Sequence, residues 1–203
     1  MSETNHAENG HATKKFANPN YKVPKIIPIL IILVLAAMYY YPVYQDYRDF
    51  KSPETIVQKF FSQLFIDKDY QRAADKMSVF MASPMLPEYS TDTPAQLLKA
   101  RREIIAKAGP ALEQNFKNGE QEAFQVTPLP EYTKVGEQTA IVVGKVVAGG
   151  KDQGFGLTFL IKEDGKFRII QYVPLPSAAA LEEVKKIDMK TMDDQAKTLL
   201  NQS

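Results

Sequence analysis

Asp67, Asp69 and Asp75, with Tyr70 among them and Asp152 and Asp164 further along, are the side chains of this sequence with the means to move a proton. A carboxylate base set opposite a polarising phenol in an apolar pocket abstracts a proton beside a carbonyl. Local sequence argues for plainer roles. The first three acids fall at a helix boundary or on a short helix, the last two in turns, and Tyr70 on an apolar face, which are the places of caps, solvated charges and a core aromatic. Other chemistry fails for want of side chains. Cysteine is absent, which removes disulfides, thiolate metal sites and a thiol nucleophile. The only two histidines, His6 and His11, sit in a polar leader, and two imidazoles without a third ligand hold a metal weakly. No Gly-rich phosphate loop or nucleophile motif occurs. The sequence therefore predicts a non-enzymatic protein with no catalytic residue, no metal ligand and no cofactor.

Binding is the remaining kind of activity, and one segment is suited to it. "VFMASPMLPEYSTDTP", Val79 to Pro94, is broken by prolines yet carries Phe80, Met81, Met85, Leu86 and Tyr89. An apolar loop must either be buried or bind something, and flexible methionines adapt to varied partners. These five residues are the possible ligand or partner loop. The alternative is that they plug the core.

Composition narrows the partners. With 44% hydrophobic and 24% charged residues and a net charge of +1, the chain is ordinary globular material without the clustered basic excess of a nucleic-acid surface. Residues 1–25 are polar and short of aliphatics, the composition of a disordered tail. From Ile26 to Tyr44, "IIPILIILVLAAMYYYPVY", no charge appears. About 19 residues rise roughly 28 Å as a helix, near the thickness of a hydrocarbon core. Tyr39, Tyr40, Tyr41 and Tyr44 gather at one end, as at a membrane boundary. Leu35 spoils a small-x-small cleavage site. The expectation is an uncleaved signal anchor, a single-pass transmembrane helix over 26–44 with the lipid bilayer as partner. Lys14, Lys15, Lys22 and Lys25 before it set the N-terminus in the cytoplasm and the C-terminal domain outside a bacterial cell membrane.

The rest of the chain reads as helices, then strands, then a helix. Ser52, Pro53 and Glu54 are three agreeing start signals, followed by Ile56, Val57, Phe60, Phe61 and Leu64 on one face. Asp69 caps a short second helix. Thr93 and Gln96 have capping-box spacing for a third, which Gly109 and Pro110 should kink or end before a last turn closing at Gly119. "EAFQVTPL", "QTAIVVGKVVAG", "QGFGLTFLIKE" and "KFRIIQYVPL" form an antiparallel meander, with Asp164–Gly165 as a type I′ hairpin turn. Ser177 caps an amphipathic helix over 176–203. The fold class is α+β, with three helices on one side of a curved sheet. Both sheet faces are apolar: Ile141 and Val143 point one way and Val142 and Val146 the other, while Phe167, Ile169 and Val173 alternate with Ile170 and Tyr172. The outer face must be covered by the C-terminal helix or by a partner, and a partner chain, as in a homo-oligomer, is the expectation.

On "SPETIVQKFFSQLFIDKDYQRAADKMS", "VGEQTAIVVGKV" and "FLIKEDGKFRIIQY", the chain resembles the nuclear transport factor 2-like (cystatin-like) superfamily, in particular its small exported bacterial members. Phe167 stands where many relatives have tryptophan. The resemblance covers 52–175 and implies a cone, helices closing one side of a bent sheet with a pocket at the wide end. The superfamily includes isomerases, binders and assembly proteins, so the fold leaves function open. The expected function is that of an extracytoplasmic binding or scaffold domain in an envelope assembly. The alternatives are a binder of a small apolar ligand in the cone pocket and, behind it, an isomerase or hydratase.

Overall fold

The computed structural model describes residues 26–117 and 123–201. The expected tail over 1–25, with His6 and His11, and the helix stop at Gly119 lie outside the described residues. The chain divides into two compact units, Met1–Pro42 and Val43–Ser203.

Helix α1 (Ile26–Asp49) begins in the first unit. Its aliphatic stretch from Ile29 to Met38 gives way to Tyr39, Tyr40, Tyr41 and Pro42, then to Gln45, Asp46, Arg48 and Asp49. Such a stretch rises about 15 Å, half of a hydrocarbon core of about 30 Å. No helix among the described residues is long and apolar enough to cross a membrane. This overturns the transmembrane helix over 26–44 and the single-pass signal anchor. The expectation took every uncharged residue over 26–44 as apolar, two prolines and four tyrosines included, whereas the aliphatic stretch from Ile29 to Met38 is half the length required. The bilayer as a partner and the extracytoplasmic location rested on that span.

The second unit is α+β. Helix α2 (Pro53–Phe65) starts as its signals require, with Ser52 Oγ accepting the Thr55 N–H, and it buries Ile56, Val57, Phe60, Phe61 and Leu64. Asp69 caps α3 (Tyr70–Ala74) through the Arg72 N–H. The proline-broken segment forms α4 (Val79–Ala82) and two 3-10 turns. Thr93 and Gln96 make both bonds of a capping box on α5 (Pro94–Lys99). A break at Ala100 separates α5 from α6 (Arg101–Lys117), which continues through Gly109 and Pro110 instead of ending there. The helix survives because tertiary packing outweighs one lost ladder bond. Gly109 has its use in that packing: a Cβ there would lie 2.3 Å from the Gln71 side chain of α3.

Strands β1 (Phe124–Pro128), β2 (Lys134–Val135), β3 (Thr139–Ala148), β4 (Lys151–Glu163) and β5 (Lys166–Leu175) form one antiparallel sheet of order β1-β3-β4-β5, with β2 also on β3. Asp164 and Gly165 both have positive φ, 50° and 75°, as a type I′ turn needs. A register shift at Phe159/Leu160 leaves Ile170 unpaired between Ile169 and Gln171. That bulge reverses the alternation beyond it. Tyr172, expected on the face of Ile170, instead packs with Phe167 and Ile169 against the helix-side core. At the end of this core Phe61, Phe65, Phe124 and Tyr172 meet ring to ring, at 5.0 Å for Phe65–Phe124 and 5.2 Å for Phe61–Tyr172.

The outer face is covered by the chain itself. Helices α7 (Ala179–Lys185) and α8 (Met189–Leu200) lie over it, and Leu181 and Val184 close a second core with Ile141, Val143 and Leu157. Cover for this face thus comes from within the chain. The expected single helix from Ser177 is two. Lys185, Lys186, Asp188 and Lys190, which interrupt the apolar stripe, fall at the break, where Asp188 caps α8 by accepting from Lys190 and Thr191. A second bond set pins α8 to the sheet: the buried Asp193 carboxylate accepts N–H bonds from Glu137, Gln138 and Thr139 and the Thr139 hydroxyl, at 2.6–3.0 Å.

Candidate functional site

Charge concentrates at the end of the sheet where β4 turns into β5. The chain leaving α3 extends through Lys76, Met77 and Ser78 and pairs in parallel with β5, the Ser78 N–H donating to the Ile169 carbonyl and the Ile169 N–H to that of Lys76, each at 2.8 Å. This pairing closes part of the free edge of β5. It also brings Lys76 and Ser78 beside Glu163, the last residue of β4, and Arg168 of β5. The start of α6 supplies Arg101, the C-terminal end of α1 supplies Asp46 and Asp49, and Phe50 follows directly after it.

Glu163 is the fully enclosed acid of this cluster, its side chain 0% exposed. One oxygen accepts the Ser78 hydroxyl at 2.5 Å and the Val79 N–H at 3.2 Å; the other takes the Arg101 guanidinium. Arg101 also donates to the Met77 carbonyl. Burial pushes the Glu163 carboxyl above its ordinary range, and the Ser78 bond, Arg101 and the Val79 N–H only partly offset that. The pair joins hairpin, α4 and α6.

Three further cations surround the Phe50 ring. The Arg168 guanidinium carbon lies 4.2 Å from its centre, Lys76 Nζ 5.1 Å and Lys166 Nζ 5.2 Å. Lys76, buried, reaches Asp49 at 3.4 Å, and burial still holds its ammonium below the ordinary lysine value. Lys166 pairs with Asp46. Arg168 differs. It is buried, donates to the Asp75 carbonyl, and has no carboxylate at ion-pair distance among the described residues, while its Nε has no hydrogen-bond partner. Burial, with Arg101 nearby, lowers its pKa to about 10.

A cleft of about 590 Å³ opens over these groups, lined by Phe50, Asp75, Lys99, Arg101, Arg102 and Arg168, with Leu98, Ile105 and Ala106 as an apolar strip. Its walls are charged, and of its three lining acids Asp46 is ion-paired, with Lys166. Among the described residues no group of three or more His, Asp or Glu is placed to hold a metal ion.

The residues singled out from sequence lie mostly elsewhere. Leu86 and Tyr89 are buried in the helix-side core, and Phe80, Met81 and Met85 pack half-buried against it. The loop thus sits on the core rather than at the cleft. Of the acids, Asp75 and Asp164 line the cleft. Asp69 is a cap, Asp67 accepts from Ser62, and Asp152 from Gly154 and Lys145. Tyr70 is half-buried on the core. Glu163, Arg101, Arg168 and Lys76 escaped the sequence reading. Their one signal was Glu163 and Arg168 inside otherwise apolar strand runs, "FLIKE" and "KFRII", where a charge demands a partner.

No protein-family model matches this chain, no curated protein matches it, and no solved structure matches it.

Proposed function

We propose that the chain is a non-enzymatic binding domain whose ligand docks in the cleft over the β4–β5 turn. The observation that carries this reading is the contrast between the two buried acids and the cleft. A proton-transferring carboxylate must face its substrate with free lone pairs. Glu163 and Asp193 instead direct their oxygens to donors within the fold. The cleft keeps charged side chains that the fold leaves available. The order of helices, curved antiparallel sheet and returning helices agrees with the nuclear transport factor 2-like layout, and supports that resemblance. In the cone of such a layout a small apolar ligand would need the space that the rings of Phe61, Phe65, Phe124 and Tyr172 occupy, so the apolar-ligand reading has less support.

A fragment screen followed by amide chemical shifts of the full chain tests the proposal. The expected result is a set of fragments that move Phe50, Leu98, Arg102 and Arg168 together. Fragments that move only Phe124 and Tyr172 would transfer the site to the other end of the sheet and sink this reading.

A further inference from the structure

We infer that the cleft takes a small organic oxyanion, a carboxylate or a phosphate monoester with an apolar body, held by Lys99 and Arg102 at the rim and Arg168 at the base. This rests on the cleft being the binding site proposed above. The inference follows from which charges remain uncompensated. On the acidic side, Asp46 is paired with Lys166, whereas Asp75, bonded by the neutral Gln71 amide at 3.4 Å, and Asp164, exposed on the hairpin turn, keep their charge. On the basic side, Arg101 is neutralised by Glu163. Lys99 and Arg102 are exposed and have no ion-pair or hydrogen-bond partner among the described residues, and Arg168 has a carbonyl and an aromatic face but no carboxylate. Three cations against two acids, Asp75 and Asp164, face the same cavity, which leaves an excess of positive charge there.

Burial makes Arg168 the telling member. Arg168 is buried as a residue, 8% exposed, and a buried guanidinium is costly unless a counter-charge answers it. Its neighbour Glu163 is already held by Arg101, Ser78 and Val79. An anion entering between Lys99 and Arg102 would place negative charge over Arg168 and relieve that field. Guanidinium groups match the planar, two-oxygen face of carboxylate and phosphate. Leu98, Ile105 and the Phe50 ring add an apolar wall, which suits a ligand carrying more than the bare anion.

The test titrates the full chain with sodium phosphate, phenyl phosphate, benzoate and benzylamine at constant ionic strength, following amide and Arg Nε–H shifts. Lys99→Gln with Arg102→Gln forms the test variant. Lys117→Gln, an exposed lysine at the far end of α6, is the control for loss of charge. Both substitutions are on the surface, so the fold survives them. The expected result is saturable binding of phenyl phosphate or benzoate with shifts at Phe50 and Arg168. The double variant should bind roughly ten-fold more weakly, about three-fold for each removed charge, and the control should bind as the parent does. Preference for phenyl phosphate would identify a phosphate ester, and preference for benzoate a carboxylate; either supports the inference. Equal affinity in all three proteins, or shifts confined to other surfaces, would overturn it. Benzylamine moving the cleft while the anions do not would overturn the anion class and leave the binding cleft standing. No probe moving it would remove both.

Discussion

Glu163 links three elements through one carboxylate, and two substitutions separate its charge from its bonds. Glu163→Ala leaves Arg101 facing an unfilled buried space and the Ser78 hydroxyl and Val79 N–H without their acceptor. Breaking a buried pair in this way costs about 3–5 kcal/mol, and urea unfolding should record it as a lower midpoint with an unchanged slope. Glu163→Gln keeps an acceptor and removes the charge. Because burial raises the Glu163 pKa above its ordinary 4.5, the native state holds this proton more firmly than the unfolded chain does. Ionisation then subtracts stability as pH rises from about 4.5 through the native value. The parent should accordingly lose stability relative to Glu163→Gln over that window. A parent that gains on the variant instead would mean that the Arg101 attraction exceeds the desolvation and that the carboxyl pKa is lowered by folding, not raised.

Among the elements, α8 is tied to the sheet by one polar residue in addition to its apolar stripe. Asp193 accepts four bonds from the turn between β2 and β3, and although burial opposes its charge, the Thr139 hydroxyl and the three N–H groups together hold its pKa below 3.8. A lowered carboxyl pKa contributes stability that is complete above the unfolded value and is lost as pH falls through the native one. Asp193→Ala should cost about 3 kcal/mol, since charged hydrogen bonds vanish and buried donors are orphaned. Hydrogen exchange should locate the loss in α8 first; uniform loss across the sheet would contradict a local clasp. Gly136→Ala should act on the same clasp from the other side, because a Cβ there would stand 2.4 Å from Asp193 Oδ2.

For the second unit as a whole, the C-terminal helices cover the outer face of the sheet. Ile141, Val143 and Leu157 are buried on the face that α7 and α8 cover. A chain ending at Pro176 would present that apolar face to water, and exposed contiguous patches of this kind associate. Light scattering should find the shortened chain self-associated at concentrations where the full chain has a lower mass. A shortened chain that stays monomeric without aggregating would show that the outer face tolerates water and that the cover is dispensable.

Local signals determined the elements whose cause is local. Ser52, Asp69 and the Thr93–Gln96 box begin helices where their side chains satisfy nearby N–H groups, and Asp164–Gly165 turns the hairpin because its φ angles suit that pair. The apolar alternation of "AIVVGKVV" also announced a sheet covered on both sides. Tertiary structure decided everything that depends on residues distant in sequence. Packing of α3 on Gly109 carries α6 through Pro110. A bulge beside Ile170 transfers Tyr172 to the opposite face. The clasp at Asp193 folds α7 and α8 back over a surface that the sequence left to either a helix or a partner. The candidate cleft belongs to the same class. Phe50, Lys99 and Arg168 come from three separate segments, and their charges acquire meaning only when burial and neighbours decide which are answered and which are not.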